Sequence, residues 1–250
     1  MFATYQRDGG VGVVTLDRPD RRNSIGQDML EDLERAWEEF MHDDDAFAAV
    51  LVGNGSTFCA GRDIKGDMAP LQRSNLGDLF VPKTNKPIVV GVQGHVIGLG
   101  WYMVSGCDYV VAGDDTSFAM TQLRVGLPGP YGFAPRMNLG PFVAFELLAL
   151  GRPLLADRAR SLGLVNEVVA PAAVRDRAIS IAKELLAVPP ELLQLTKQLL
   201  RGTDRTPSAE VSTQYWEGRA ALEGSPNIME ARAAQRERRA PVFTAPTPVS

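Results

Sequence analysis

The pattern of apolar and polar residues along the chain predicts strands first. Thr4–Arg7 and Val11–Leu16 are strand-like runs joined by Asp8-Gly9-Gly10, which is typical of a β-hairpin. Further short apolar runs, bounded by glycine or polar residues, predict buried strands at Ala48–Val52, Pro87–Val92, Asp108–Ala112, Ser117–Ala119 and Val165–Val169.

Between these strands the period changes to that of a helix. The clearest helix has apolar residues at helical spacing and charged residues on the opposite face; the apolar ones are Met29, Leu30, Leu33, Ala36, Trp37, Phe40 and Met41. From Pro141 the chain is largely helical, and a charged helix is predicted over Arg232–Arg239. The alternation indicates an α/β protein with a βαβ-type core over residues 1–190 and a helical region over 191–250.

Composition narrows the function classes without choosing one. The 250-residue chain is 45% hydrophobic and 22% charged with a net charge of −4, so it lacks the basic character of nucleic-acid or anionic-membrane binders. No apolar run approaches a membrane span, and the N-terminus resembles no signal peptide, so we expect a cytoplasmic protein. The two cysteines, Cys59 and Cys107, have no metal-binding spacing, and no metal is expected.

The stretch GHVIGLGWYMVSGCD, residues 94–108, follows a predicted strand and places glycines ahead of a helix. Such glycines bring the backbone close to a ligand, and a dinucleotide is the first candidate. The dinucleotide fingerprint requires a third glycine where this chain has Met103, and no acidic residue closes the following strand. A nucleotide-dependent oxidoreductase is therefore disfavoured.

A second glycine-containing loop, STFCAGRDIK at residues 56–65, also follows a short apolar strand. The two loops together resemble the signature loops of the crotonase (enoyl-CoA hydratase/isomerase) superfamily. RPDRRNSI, GRPLLADRARSLGLVNEVV and ERRAPVF extend the resemblance over nearly the whole chain, in the order of the family. It implies a crotonase-like ββα spiral core with a C-terminal helical oligomerisation region.

The resemblance implies an oxyanion hole that stabilises the enolate of an acyl-CoA thioester. Matched by position, its two donors are the backbone amides of Arg62 and Leu99, with Gly61 and Gly98 turning the backbone to aim them. Leu99 would open a helix, whose N-terminus adds positive potential at the developing charge. The alternative is that the glycines only close tight turns.

The sequence departs from the family at both acid–base positions. Family hydratases carry a glutamate three residues after the second oxyanion donor, where this chain has Tyr102, and another at the position matched to Gln122. Neither side chain is a carboxylate base, so ordinary hydration is not expected. Tyr102 could donate a proton or only fill volume; Gln122 could orient water or be structural. His95 is the nearest imidazole and a further candidate.

The resemblance also implies where the substrate binds. The CoA wall is predicted at Cys59, Ala60, Asp63 and Ile64, near Gly98. The basic turn of Arg18, Arg21 and Arg22 could meet phosphates, and Tyr131 could line the acyl pocket. Each of these could also be an ordinary surface or packing residue. No cofactor is expected besides the CoA of the substrate. The C-terminal helices imply a homotrimer or homohexamer.

Three functions remain open. The first is a crotonase-type enzyme that performs hydrolysis or C–C cleavage, decarboxylation or isomerisation of an unusual acyl-CoA. The second is an enoyl-CoA hydratase or isomerase with a non-standard base. The third is an acyl-CoA-binding protein without catalytic activity. Activity against a panel of acyl-CoAs would separate the first two, and tight binding of CoA esters without turnover would favour the third.

Overall fold

The computed structural model describes residues 1–63, 80–121, 139–201, 217 and 224–245. Its strands are β1 (Ala3–Asp8), β2 (Val11–Leu16), β3 (Ala48–Gly53), β4 (Ile88–Val92), β5 (His95–Ile97), β6 (Tyr109–Gly113), β7 (Ser117–Ala119), β8 (Leu154–Leu155) and β9 (Glu167–Val169). Its α-helices are α1 (Gln27–His42), α2 (Leu99–Ser105), α3 (Pro141–Ala149), α4 (Ala156–Ser161), α5 (Val174–Leu185), α6 (Pro190–Arg201) and α7 (Pro226–Glu237).

The strands form two sheets. The larger has the order β1-β2-β3-β4-β6-β9; β1 and β2 pair antiparallel and all other neighbours pair parallel. The smaller has the order β5-β7-β8, with β5 and β7 parallel. The predicted α/β alternation is confirmed, because parallel neighbours need crossover connections such as α1.

The large sheet is covered on both faces at its centre, which explains why its inner strands are largely apolar. All six residues of β2 and of β3 are buried. Alternate residues face opposite sides: Val14 and Leu51 pack with α1, whereas Val13 and Val50 pack with α5. Helix α1 buries the predicted apolar face except Met41, which is partly exposed.

The structure corrects several predicted boundaries. The last strand begins at Glu167 rather than Val165, because Asn166 caps the neighbouring strand instead: its side chain accepts from Val110 N at 2.8 Å. The final helix begins at Pro226, earlier than predicted, and ends at Glu237, since Arg238 adopts a φ of 54°. Strands β5 and β8 were not predicted at all.

The first C-terminal helix, α6, begins at the predicted boundary and is fastened to the core. Lys197, almost fully buried, places Nζ 2.6 Å from the Asp108 carboxylate and donates to the Lys86 carbonyl oxygen at 2.6 Å. Whether residues 1–190 and 191–250 are separate domains stays a prediction. Among the described residues, no helix has the length and apolarity needed to cross a membrane.

Candidate active site

The loop that follows β3 is attached to β5 along one side. Cys59 N donates to the His95 carbonyl oxygen at 3.1 Å, and Ile97 N donates to the Cys59 carbonyl oxygen at 2.9 Å. These two bonds form a parallel bridge between Cys59 and Val96. The loop is therefore continuous with the smaller sheet, and β5 leads directly from it into α2.

The other side of the loop is attached to the turn that contains RPDRRNSI. Ala60 N donates to the Arg22 carbonyl oxygen at 2.9 Å. Ile25 N donates to the Gly61 carbonyl oxygen at 2.8 Å, and Asp63 N donates to the Ile25 carbonyl oxygen at 2.9 Å. Three of the sequence motifs are thus one backbone assembly, with the 59–63 segment in its centre.

Two side-chain interactions stabilise that assembly. Arg18 pairs with Asp63 at 3.2 Å, and both side chains are largely shielded from solvent. The buried Asn23 accepts from Arg18 N at 2.8 Å and donates to the carbonyl oxygens of Asn54 and Thr57 at 2.9 and 2.8 Å. Asp63 therefore has a structural cation partner, and a role as a base is disfavoured.

Helix α2 starts from a sharp backbone turn at Gly98. Gly98 has a φ of 52°, which favours glycine, and its N–H donates to the Ala119 carbonyl oxygen at 3.0 Å. Its own carbonyl oxygen accepts from Trp101 N at 3.0 Å and Tyr102 N at 3.1 Å. Because a trans peptide directs C=O and N–H oppositely, the Leu99 N–H points out of the helix start.

The same reasoning applies to the peptide between Gly61 and Arg62. The Gly61 carbonyl points to Ile25, so the Arg62 N–H points away from it. A Cβ added at Gly61, whose φ is 87°, would lie 2.8 Å from the Ile97 carbonyl oxygen and 3.7 Å from Leu99 N. Only glycine allows this approach, which brings the two peptides side by side.

Tyr102 lies one turn beyond Leu99 on α2. Both side chains are partly buried and pack against the main core cluster. Ser105 Oγ donates to the Tyr102 carbonyl oxygen at 2.8 Å, which helps to end this seven-residue helix. Leu99 and Tyr102 thus lie on the same short helix and contact the same core cluster. That Tyr102 faces the thioester site stays a prediction, and Gln122 lies outside the described residues.

The predicted substrate-binding residues differ in exposure. Arg21 and Arg22 are exposed, and Ala60 is partly exposed. The side chain of Cys59 is fully buried, and its place on the CoA wall stays a prediction. Ile64 and Tyr131 lie outside the described residues.

Two other candidate groups can be weighed by their surroundings. Burial raises the pKa of the Cys59 thiol to about 12, so the sulphur is protonated at neutral pH and is a poor nucleophile. His95 is exposed on β5. Among the described residues, no group of three or more His, Cys, Asp or Glu side chains could hold a metal ion.

The sequence did not reveal the side chains that hold the glycine turns. Asp115 accepts from Gly94 N at 3.2 Å, and Gln93 donates to the carbonyl oxygens of Gly53 and Gly55 at 2.7 and 2.9 Å. Asn23 likewise holds a turn through its side chain. Each bonds to backbone far away in sequence, and turn composition was their only signal.

Comparisons with known proteins show the family and the fold of the chain. Residues 6–246 match the family model described as enoyl-CoA hydratase/isomerase. The (E)-benzylidenesuccinyl-CoA hydratase of Thauera aromatica is 31% identical over 97% of this chain and 99% of its own. The carnitinyl-CoA dehydratase of Citrobacter koseri is 28% identical over 96% and 97%. The crystal structure of an enoyl-CoA hydratase from Mycobacterium tuberculosis H37Rv superposes with a TM-score of 0.86 at 27% identity, covering 98% and 99%.

Proposed function

The chain belongs to the enoyl-CoA hydratase/isomerase family and has the crotonase fold, and from this we propose that it binds an acyl-CoA thioester and stabilises its enolate. The proposed donors are the backbone N–H groups of Arg62 and Leu99. Such an oxyanion hole acts by placing donors where negative charge develops in the transition state.

The observation that carries this proposal is the contact between the two glycine peptides. A Cβ on Gly61 would clash with the Ile97 carbonyl oxygen at 2.8 Å and lie in van der Waals contact with Leu99 N at 3.7 Å. In both peptides the carbonyl oxygen accepts a hydrogen bond on one side and the N–H points to the opposite side. Two donors that serve one oxygen must lie close together, with hydrogen bonds of about 2.9 Å to it. Turns that only reverse the chain would not require these two peptides to adjoin.

We propose that the reaction is not the hydration of a simple enoyl-CoA. Tyr102 and Gln122 stand where family hydratases carry glutamates, and a positioned acid or base contributes roughly 10²–10⁴-fold in rate. C–C cleavage of a β-dicarbonyl acyl-CoA, decarboxylation and isomerisation pass through a stabilised enolate, whereas thioester hydrolysis passes through a tetrahedral intermediate whose oxyanion the same two amides would stabilise. Tyr102, beside Leu99, is the proposed proton donor.

A second candidate is hydration or dehydration of an unusual acyl-CoA with a non-standard base. The names of the relatives favour it, since the hydratase of Thauera aromatica and the dehydratase of Citrobacter koseri cover nearly the whole chain. The base in that case would be a group other than Tyr102 or Gln122, and His95 is one candidate.

The proposed substrate carries its own CoA and the reaction needs no further cofactor. Arg21 and Arg22, exposed beside the loop, are the proposed phosphate contacts, and an Arg21→Ala/Arg22→Ala double variant should raise KM with little change in kcat. The proposed assembly is a homotrimer or homohexamer, which light scattering would report as three or six chain masses.

A panel of acyl-CoAs with three readouts tests the proposal. Release of the CoA thiol reports hydrolysis, loss of enoyl absorbance reports hydration, and deuterium uptake at the α-carbon in D₂O reports the enolate. We expect α-carbon exchange with at least one ester and negligible hydration of crotonyl-CoA. Crotonyl-CoA turnover near about 10 s⁻¹, an ordinary enzyme value, would favour the second candidate. Binding without turnover or exchange would indicate a non-catalytic acyl-CoA-binding protein.

A further inference from the structure

Cys59 occupies the junction between the two glycine loops. Its backbone bonds to β5 on both sides of Val96, so its position is fixed by the small sheet. Its side chain is fully buried, and Gly61 N donates to its sulphur at 3.4 Å. The thiol therefore contacts the residue whose peptide carries the first proposed donor.

The same side chain supports the first turn of α2. A Cβ added at Gly100 would lie 2.8 Å from Cys59 Cβ, 2.9 Å from its carbonyl oxygen and 3.2 Å from its sulphur. Real Cβ atoms do not approach so closely, so the helix start and Cys59 are in tight contact. Gly100 follows Leu99 directly, and the second proposed donor is thus one residue from this contact.

We propose that Cys59 is a positioning residue whose side chain sets the spacing between the Gly61–Arg62 peptide and the start of α2. The inference rests on the proposed function, because the two elements that it joins carry the two proposed amide donors. Cys59 does not touch the substrate in this role. It acts through Gly61 on one side and Gly100 on the other.

The size of the sulphur and its ability to accept a hydrogen bond give the role its specificity. Alanine would remove the acceptor for Gly61 N and leave a void below the first turn of α2. Such a void is not filled without movement of the surrounding atoms, and movement of reacting groups by about 1 Å can cost on the order of 10² in rate. Serine keeps an acceptor at nearly the same place.

The test compares Cys59→Ala, Cys59→Ser and Cys107→Ala in the full chain. Cys107, the matched control, is a partly buried thiol just beyond the other end of α2, where it donates to the Met103 carbonyl oxygen at 3.3 Å. The substrate is the acyl-CoA whose α-carbon proton the wild type exchanges fastest. We expect Cys59→Ala to lower kcat about five- to tenfold with KM changed less than twofold, because a neutral hydrogen bond contributes on this scale. Cys59→Ser should recover most of kcat, and Cys107→Ala should keep it.

A merely structural role would lower the Tm of Cys59→Ala while leaving kcat per folded molecule unchanged, and that result would overturn the proposal. The exchange rate of the Gly61 amide, measured by NMR, provides a readout that needs no activity. We expect it to rise tenfold or more in Cys59→Ala relative to the wild type and Cys107→Ala. If the wild type exchanges the α-carbon proton of no acyl-CoA, the proposed function fails. The exchange rate of the Gly61 amide still decides whether Cys59 holds the loop. An unchanged exchange rate of the Gly61 amide in Cys59→Ala would exclude that role.

Discussion

Replacing Leu99 by proline removes one proposed oxyanion donor and little else of the backbone. Leu99 is the first residue of α2, where a helix tolerates proline because that N–H makes no intrahelical bond. Gly98 precedes it with φ 52° and ψ −109°, away from the helical ψ values that a following proline disfavours. The helix should therefore form in the Leu99→Pro variant.

The expected loss follows from the number of donors. Removing one oxyanion-hole donor costs about 2.7–4 kcal/mol of transition-state stabilisation, or 10²–10³-fold in kcat. The partly buried Leu99 side chain is also lost, and its packing contributes to the stability of the site. Leu99→Ala loses most of that side chain but keeps the N–H, so the ratio between the two variants isolates the donor.

The assay is α-carbon deuterium exchange of the best acyl-CoA, with circular dichroism and Tm to confirm folding. We expect Leu99→Pro to be at least about 10²-fold slower than Leu99→Ala, as for other oxyanion donors. If the α-carbon exchange rate of a folded Leu99→Pro protein were within threefold of that of Leu99→Ala, the Leu99 amide would not be a donor. The Gly98–Leu99 peptide would then not direct its N–H at the substrate.

Three further outcomes are expected. Tyr102→Phe should lower kcat at least tenfold with KM little changed if the phenol assists the transition state, and an unchanged kcat would reduce Tyr102 to packing. The Gly94→Ala variant should unfold at a much lower urea concentration than the Gly163→Ala variant. Both glycines have positive φ, so alanine costs about 1–2 kcal/mol of backbone strain at either position. At Gly94 the added Cβ would also lie 1.9 Å from a backbone oxygen, whereas Gly163 faces open space. Equal losses would show that the loop yields to the clash. Lys197→Met should lower the free energy of unfolding by about 2 kcal/mol, which is less than for a fully buried pair because Asp108 is partly exposed. The double variant Asp108→Asn/Lys197→Met should recover part of the lost stability, because it leaves no unpaired charge.

The long elements could be predicted from the sequence because their burial is periodic. Helix α1 buries one face, and β2 to β4 lie between two layers, so both leave an unambiguous pattern over five or more residues. Strands β5 and β8 are three and two residues long, and β5 lies between two glycines. Strand β8 pairs with β7, and β5 pairs with β7 and bridges to Cys59, so both strands depend on tertiary contacts.

The site was predictable in one part only. The glycines marked where the backbone turns, and the resemblance placed Arg62 and Leu99 on neighbouring loops. The bonds from Asn23 and Asp115 that hold those loops join residues 21 to 34 positions apart, and no local pattern encodes them. The resemblance placed Cys59 on the substrate wall, and the structure shows its side chain buried where the loop bridges to β5.

The proposed division of labour explains how the fold could be kept while the reaction changed. In the proposed site Arg62 and Leu99 contribute only backbone N–H groups, so a change of their side chains does not remove a donor. Proton transfer depends instead on side chains, and one substitution at position 102 replaces a carboxylate with a phenol that donates but is a poor base at neutral pH. Enolate stabilisation should therefore persist across relatives that differ in reaction. For this chain it makes α-carbon exchange, rather than hydration, the activity by which substrates should be sought.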